Sequence, residues 1–129
     1  MSTIHIIEPD SAILGGLFEL LQSLQWPVRG YINPQHFLAA YYDYSNGFLV
    51  VDFDAREMAD FKFFLQLQEH NISLPTVLIS SRVDQAFKTR AFDAGAIDVI
   101  GKPLVNDLLL ARIRQCVPEV TQSVLHALQ

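Results

Sequence analysis

Carboxylate side chains follow two short apolar runs of the sequence. Asp52 and Asp54 come after one run, and Glu8 and Asp10 come after another. Carboxylates that converge on one place repel each other, which raises the pKa of at least one of them unless a cation is present. Mg²⁺ prefers oxygen ligands of this kind. If the fold brings the two groups together, the sequence predicts a Mg²⁺ site centred on Asp52.

A hydroxyl group and an ammonium group follow two other apolar runs, at Ser80 and Lys102. At about 4 Å from a carboxylate, an opposite charge is worth roughly 4 kcal/mol at an effective dielectric near 20, before desolvation. A carboxylate, a cation, an ammonium and a hydroxyl together can hold or accept a phosphoryl group. Each residue alone is also common as a helix cap, a turn former or a solvated loop charge. The coincidence of all four is what indicates phosphoryl chemistry.

The elements that must position these side chains are five apolar runs separated by segments of helical periodicity. Their length and β-branched content favour strands buried on both faces. Five repeats of strand then helix predict a doubly wound α/β domain with helices on both faces of a five-stranded parallel sheet. Ligands of such folds bind at the carboxyl ends of the strands. The predicted strands are Ile4 to Ile7, Val28 to Ile32, Phe48 to Val51, Thr76 to Ile79 and Ile97 to Ile100.

The segments between the strands carry helix boundaries and apolar stripes. Asn33 and Pro34 predict the start of the second helix, and Asp84 and Gly95 predict the two ends of the fourth. The fifth helix is predicted over about Asn106 to Cys116. We expect the inward stripes of the first and third helices to be Ile13, Leu14, Leu17, Leu20, Leu21 and Leu24, and Met58, Phe61, Phe64, Leu65 and Gln68, respectively.

Composition and charge exclude several classes of protein. The 129 residues suit one domain, and half of them are apolar. A net charge of −5 with scattered basic residues argues against direct nucleic-acid binding. The single cysteine, Cys116, excludes an internal disulfide. With no signal peptide and no apolar run of about 20 residues, we expect a cytoplasmic protein that does not contact membranes.

Four stretches of the chain resemble the receiver domain of two-component response regulators, the CheY-like superfamily, and within it the FixJ type. They are Ile4 to Asp10, Gly47 to Asp52, Leu74 to Ser80 and Ala94 to Pro103, the last with Ala-Gly-Ala followed at a fixed distance by Lys-Pro. The resemblance implies a flavodoxin-like, three-layer α/β/α fold. It also implies a single receiver domain over residues 1–129, with a core of about 3–116 and a C-terminal extension over 117–129.

The resemblance also implies a signalling role. Asp52 falls on the phosphoacceptor, Ser80 on the hydroxyl that bonds the phosphoryl oxygen, and Lys102 on the family's invariant lysine. A sensor histidine kinase would supply the phosphoryl group in phosphorelay signal transduction. The domain would regulate a partner or a DNA-binding output domain outside this chain, and it would not be an enzyme in the usual sense.

The same resemblance suggests a weak magnesium site. Glu8, Asp52 and the backbone carbonyl of Asp54 would hold Mg²⁺, and Asp10 is a further candidate ligand. Pro9 stands where the family has a second acidic ligand, and proline offers no side-chain oxygen there. We therefore expect Mg²⁺ to bind weakly, because the ion can keep several waters but gains one carboxylate fewer.

Two departures from the family pattern keep alternatives open. The first departure is Pro9, which replaces the second residue of the family's acidic pair. It suggests the alternative that the domain is a degenerate receiver, which acts as a phosphorylation-independent interaction module. Val99 stands where the family has a switching aromatic residue, so we expect the face formed by the fourth helix, fifth strand and fifth helix to be a standing contact, for example in a homodimer. A more remote alternative is a haloacid-dehalogenase-like phosphatase, since Asp52-Phe53-Asp54 resembles its Asp-x-Asp motif, although Arg56 departs from it.

Overall fold

The computed structural model describes residues 2–41, 47–54 and 61–117. The strands in these ranges are β1 (Thr3–Ile7), β2 (Val28–Tyr31), β3 (Gly47–Asp52), β4 (Thr76–Ser80) and β5 (Asp98–Gly101). All pair in parallel, in the order β2-β1-β3-β4-β5. The predicted doubly wound parallel sheet is confirmed. Strand order reverses between β1 and β3, so a ligand is expected at the carboxyl ends of these two strands.

Helices alternate with the strands throughout the described ranges. They are α1 (Ser11–Ser23), α2 (Pro34–Ala40), α3 (Lys62–Glu69), α4 (Gln85–Ala94) and α5 (Asn106–Cys116). Asn33 caps α2, Asp84 caps α4, and Gly95 ends α4 with a φ of 124° that favours glycine, so these predicted boundaries are confirmed. None of the helices described is long and apolar enough to cross a membrane. Met58 and residues 118–129 of the predicted extension lie outside the described residues.

Each face of the sheet packs against helices through its own apolar cluster. One cluster includes Phe37 of α2, Phe63 of α3 and Phe87 of α4. The other includes Leu21 of α1 and Ile113 of α5. Fully burying one such side chain stabilises the fold by about 1.5 to 3 kcal/mol. The three-layer α/β/α arrangement is thereby confirmed, with the central strands covered on both sides.

The edge strand β2 differs from its predicted form. It ends at Tyr31, and Ile32, predicted as its last residue, is half exposed. Arg29 and Gly30 of β2 are exposed as well. The expectation of burial on both faces is wrong for this strand, which lies at the edge of the sheet. β5 lies at the other edge and begins at Asp98, one residue later than predicted.

The inward faces of two helices also differ from the predicted stripes. Ile13 of α1 is 50% exposed, and Leu65 of α3 is 59% exposed. Gln68 is exposed too. Phe61 and Phe64 of the predicted α3 stripe are buried, as expected. The stripe was wrong for Leu65 and Gln68, because the helix begins only at Lys62 and Phe61 before it has a left-handed φ of 61°, so a periodicity counted through Phe61 does not continue into the helix. The buried residues of α3 are Phe63, Phe64 and Leu67.

Candidate functional site

Asp52 is the last residue of β3, at the carboxyl edge of the sheet. Since β3 lies between β1 and β4, the ends of both neighbours flank it. The N–H of Phe53 donates to the carbonyl of Ile79 at 2.8 Å, which carries the pairing of β3 with β4 one residue past Asp52. The Asp52 side chain is 11% exposed. The strand ladder thus fixes a largely buried carboxyl group at the middle of the edge.

Lys102 follows β5 and carries its ammonium group to Asp52. The Lys102 Nζ lies 3.0 Å from Oδ2 of Asp52 and 3.0 Å from Oδ2 of Asp54. The Lys102 N–H donates to the Ser80 carbonyl at 3.0 Å, which anchors the lysine backbone at the end of β4. Burial opposes the charge, but hydrogen bonds to Asp54 and Asp52 raise the pKa of Lys102. A charged ammonium therefore bridges the two carboxylates, as the sequence predicted for Asp52.

Glu8 follows β1 and lies against Asp52. Its side chain is buried, and its N–H donates to the carbonyl of Tyr31 at 2.9 Å. Burial, the hydrogen bond to Asp52 and the charge of Asp52 together raise the pKa of Glu8 to about 8. Burial would also raise the pKa of Asp52, but hydrogen bonds from Glu8, the Asp54 N–H and Lys102 lower it. The shared proton therefore lies on Glu8, and Asp52 is the ionised partner.

The side chain of Asp54 lies on the other side of the lysine, against the end of β4. Its Oδ1 accepts a hydrogen bond from the Ser80 hydroxyl at 3.0 Å and one from the Ser81 N–H at 3.0 Å. Its Oδ2 lies 3.1 Å from the same Ser81 nitrogen. The Ser80 oxygen in turn accepts from the Arg82 N–H at 3.0 Å. The Ser80 hydroxyl is thus held by Asp54, and no direct bond joins it to Asp52 in the described contacts.

Asp10 has a structural task at the start of α1. Its Oδ1 accepts hydrogen bonds from the N–H groups of Ala12 at 2.9 Å and Ile13 at 3.1 Å, which is the geometry of a helix N-cap. The residue is exposed. Its predicted role as a further metal ligand stays a prediction, and the structure uses one of its oxygens for the cap.

The acidic residues at the edge supply few side-chain oxygens for a metal ion. Among the residues the structure describes, no three His, Cys, Asp or Glu side chains are grouped so that they could hold a metal. Glu8 and Asp52 share a proton, and Asp54 is bonded to Ser80, Ser81 and Lys102. Two carboxylates at one point fit an ion that keeps several waters, but they do not make a strong site.

An apolar groove opens beside Asp52, between α1 and the segment that leads into α5. It has a volume of about 500 Å³, and Glu8, Asp52 and Lys102 form its polar end. Ile13, predicted to face the core, lines this groove instead, which accounts for its exposure. The apolar walls are formed by residues such as Gly16, Leu17, Leu20, Pro103 and Leu104.

Sequence reasoning identified five of the residues that meet here, namely Glu8, Asp52, Asp54, Ser80 and Lys102. It placed the charge of Asp54 beside Asp52, but it missed the hydrogen bonds that the Asp54 carboxylate accepts from Ser80 and Ser81. It also missed the Ser81 N–H, because every residue except proline has a backbone N–H and the residue type does not indicate which of them will bind an anion. The Asp-x-Asp spacing was the available signal for Asp54, but it did not indicate which partners the carboxylate would find.

Several characterised proteins are similar to this chain. The transcriptional regulatory protein FixJ of Rhizobium meliloti is 26% identical over 113 residues, which cover 88% of this chain and 55% of that protein. The response regulator protein TodT of Pseudomonas putida is 31% identical over 113 residues, which cover 88% and 50% respectively. The chain thus spans about half the length of the curated relatives it matches.

Solved structures and a family model agree with this similarity. The crystal structure of FixJ-N has a TM-score of 0.78 and 26% identity, covering 90% of this chain and 93% of that one. The response regulator StyR has a TM-score of 0.79 and 26% identity, covering 98% and 64%. The model of the response regulator receiver domain matches residues 4–114. The chain, with its acidic edge at Asp52 and its lysine at 102, therefore belongs to the receiver domain family of two-component response regulators.

Proposed function

We propose that Asp52 accepts a phosphoryl group from the phosphohistidine of a sensor histidine kinase. The observation that carries this proposal is the 3.0 Å contact between the Lys102 ammonium and the Asp52 carboxylate at the carboxyl edge of the sheet. The lowered pKa of Asp52 keeps it in the ionised form, which is the form that can attack phosphorus. Receiver domains are signalling domains, and phosphorylation with output regulation agrees with the family.

In the proposed transfer, one oxygen of Asp52 forms a bond to phosphorus while the phosphorus–nitrogen bond of the phosphohistidine breaks. The electron pair of that bond returns to the imidazole ring, and an acyl phosphate remains on Asp52. Lys102 neutralises the negative charge that gathers on the phosphoryl oxygens. The Ser80 hydroxyl is placed at the same edge and would donate to one of those oxygens.

Receiver domains generally bind Mg²⁺ at their acidic pocket. In this chain the ion would be held by Glu8, Asp52 and the backbone carbonyl of Asp54, with waters in the remaining positions. When bound, Mg²⁺ would supply positive charge to the phosphoryl oxygens. The loss of the shared proton from Glu8 would precede binding, since a protonated carboxyl group is a poor ligand.

The partner surface we propose is formed by α4, β5 and α5. Phe92, Ile97 and Leu108 lie on these elements or the turn between them, and each is between 42% and 53% exposed. Apolar side chains exposed in one region mark contact sites in soluble proteins. We propose that they support a homodimer or a contact with an output domain outside this chain. Sedimentation of the wild type and of Phe92→Glu, which should weaken association, would test this.

The phosphoacceptor is tested by intact-mass measurement after incubation with acetyl phosphate and Mg²⁺. We expect the wild type to gain one phosphoryl group and Asp52→Asn to gain none. Asp93→Asn removes the same charge from an exposed position of α4 and should behave as the wild type. Phosphorylation that persists in Asp52→Asn would disprove the assignment and make Asp54 the next candidate.

A phosphorylation-independent interaction module is the second candidate. It is favoured by Pro9, which offers no ligand oxygen, and by the Asp54 carboxylate, which takes up donors at the site. A wild type that gains no mass from acetyl phosphate at any Mg²⁺ concentration, yet associates normally, would support it. The family assignment lends no support to the phosphatase alternative, which p-nitrophenyl phosphate turnover would revive.

A further inference from the structure

Three donors at the edge of the sheet converge on one side chain. The Ser80 hydroxyl, the Ser81 N–H and the Lys102 ammonium all lie between 3.0 and 3.1 Å from oxygens of Asp54. They come from two different strand ends: Ser80 is the last residue of β4 and Ser81 follows it, whereas Lys102 follows β5. A hydroxyl, a backbone N–H and an ammonium that converge in this way form an anion-binding site. In this structure the anion is a carboxylate of the chain itself.

The same donors are those that a phosphoryl group on Asp52 would need. Lys102 has three N–H bonds and already contacts Asp52 and Asp54 together, so it can serve both anions. The Ser80 hydroxyl has a single proton and the Ser81 amide has a single N–H. Neither can donate fully to Asp54 and to a phosphoryl oxygen at once. The two anions must therefore compete for Ser80 and Ser81.

We propose that the Asp54 carboxylate is an internal anion that occupies the phosphoryl-binding site of the unphosphorylated domain and must leave it before a phosphoryl group on Asp52 can be held there. This inference rests on the proposed function of Asp52. The Asp54 carboxylate is held close to the phosphoryl-binding site, because the Asp54 N–H donates to Oδ1 of Asp52 at 2.9 Å. A tethered group competes at a high effective concentration.

The charge of Asp54 adds to the competition. Burial would raise the pKa of Asp54, but hydrogen bonds from Lys102, the Ser81 N–H and the Ser80 hydroxyl lower it, so the group is ionised at neutral pH. A unit charge about 4 Å away changes an association constant by roughly fivefold even in the dielectric of bulk water. An incoming phosphoryl group meets this repulsion as well as the loss of two donors.

The test uses beryllofluoride, an analogue of the phosphoryl group, in the presence of Mg²⁺, with binding followed by NMR of the Ser81 amide. Asp54→Ala removes the internal anion, and Asp54→Asn keeps its shape and one acceptor oxygen without the charge. We expect beryllofluoride affinity to rise about fivefold or more in Asp54→Ala, with Asp54→Asn between it and the wild type. Asp93→Asn, which loses an equal charge far from the donors, should match the wild type.

A second readout does not depend on the phosphoryl analogue. Without beryllofluoride, the Ser81 amide proton of Asp54→Ala should move upfield from its wild-type position, because it has lost a charged acceptor. An unchanged beryllofluoride affinity in Asp54→Ala would overturn the internal-anion proposal, and so would an unchanged Ser81 shift. If beryllofluoride binding survives Asp52→Asn, the proposed function fails instead. Absence of binding to the wild type and to Asp54→Ala alike would overturn both.

Discussion

The carboxyl group of Glu8 donates a hydrogen bond to the carboxylate of Asp52, so two acidic side chains at the sheet edge share one proton. The proton lies on Glu8 because this side chain is buried, whereas Asp52 also receives hydrogen bonds from the Asp54 N–H and Lys102. The pair makes the stability of the domain depend on pH, and it places a proton where a cation would otherwise bind.

Glu8→Gln should remove that pH dependence. The pKa of Glu8 is about 8 in the folded state and near its ordinary 4.5 when unfolded, so the folded state binds more protons between these values. The stabilisation is present below pH 4.5 and is lost as the pH rises through 8. Above pH 8, we expect the free energy of unfolding of Glu8→Gln to exceed that of the wild type by on the order of 1 to 2 kcal/mol, allowing for solvent screening. Urea unfolding at pH 5, 7 and 9 without Mg²⁺ measures this difference. If the free energy of unfolding changed with pH equally in Glu8→Gln and in the wild type, the prediction would be contradicted.

His5 should make the stability of the domain rise with pH in the range below neutrality, whereas Glu8 makes it fall as the pH rises. It is fully buried in β1, with its Nδ1 3.0 Å from the Tyr31 hydroxyl. Burial, with a smaller effect from the charge of Arg29, lowers the pKa of His5 from 6.5 to about 4. Its contribution to stability is present above pH 6.5 and is lost as the pH falls toward 4, by as much as about 3 kcal/mol. His5→Phe should lack this loss.

The measurement for His5 is the difference in the free energy of unfolding between the wild type and His5→Phe. Because both chains carry Glu8, its opposite pH dependence cancels in that difference. The absolute stability of the variant also changes, since the Tyr31 hydroxyl loses a partner, so only the slope between pH 4 and 6.5 is decisive. A constant difference across this range would show that His5 is not buried in its neutral form.

Pro9→Asp should strengthen Mg²⁺ binding. The substitution adds an ionic oxygen ligand beside Glu8 and Asp52, where proline has none. We expect the affinity to rise about tenfold or more, since each added carboxylate interacts strongly with a divalent ion. Calorimetry at pH 7 measures the change, and Pro9→Asn controls for the loss of the proline ring. Equal affinity in wild type and Pro9→Asp would show that another group already fills the position.

Lys102→Met should change Mg²⁺ binding and phosphorylation in opposite directions. Without the ammonium between Asp52 and Asp54, their carboxylates repel each other and gain more from a divalent ion. We expect Mg²⁺ affinity to rise by about fivefold while phosphorylation by acetyl phosphate falls, because the fixed charge that stabilises the phosphoryl oxygens is lost. Lys102→Arg keeps the charge and should not show the gain in affinity. Weaker Mg²⁺ binding to Lys102→Met would contradict this interpretation.

Val99→Tyr should destabilise the fold. Val99 is buried in the same apolar cluster as Phe53 and Phe87, whose ring centroids are 6.1 Å apart. A ring inserted into a packed cluster costs typically about 1 to 3 kcal/mol. Urea unfolding measures this cost, and Leu108→Tyr, at a half-exposed position of α5, should cost less. An unchanged stability of Val99→Tyr would reveal space for a ring and restore the aromatic switch of the family.

Much of the fold could be predicted from local sequence patterns. The apolar runs that became β1, β3 and β4 are short and rich in branched residues, so their burial on both faces follows from composition alone. The caps of α2 and α4 depend on single residues with strong local preferences. Predictions failed on the α3 face, where the left-handed φ of Phe61 displaces the start of the helix, and at Ile13, whose side chain lines the groove beside Asp52 instead of the core.

The sequence by itself determined that Asp52, Ser80 and Lys102 would meet, because each ends or follows a strand of a parallel sheet and those ends share one edge. Only the tertiary structure decided how the side chains there pair. Ser80 donates to Asp54 rather than to Asp52, and Glu8 rather than Asp52 holds the proton. These choices depend on burial and on contacts between residues as far as 50 positions apart, such as Lys102 with Asp52. Local periodicity carries no information about such contacts. Residue types therefore located the site, and the packing of four strand ends, those of β1, β3, β4 and β5, set its charge state.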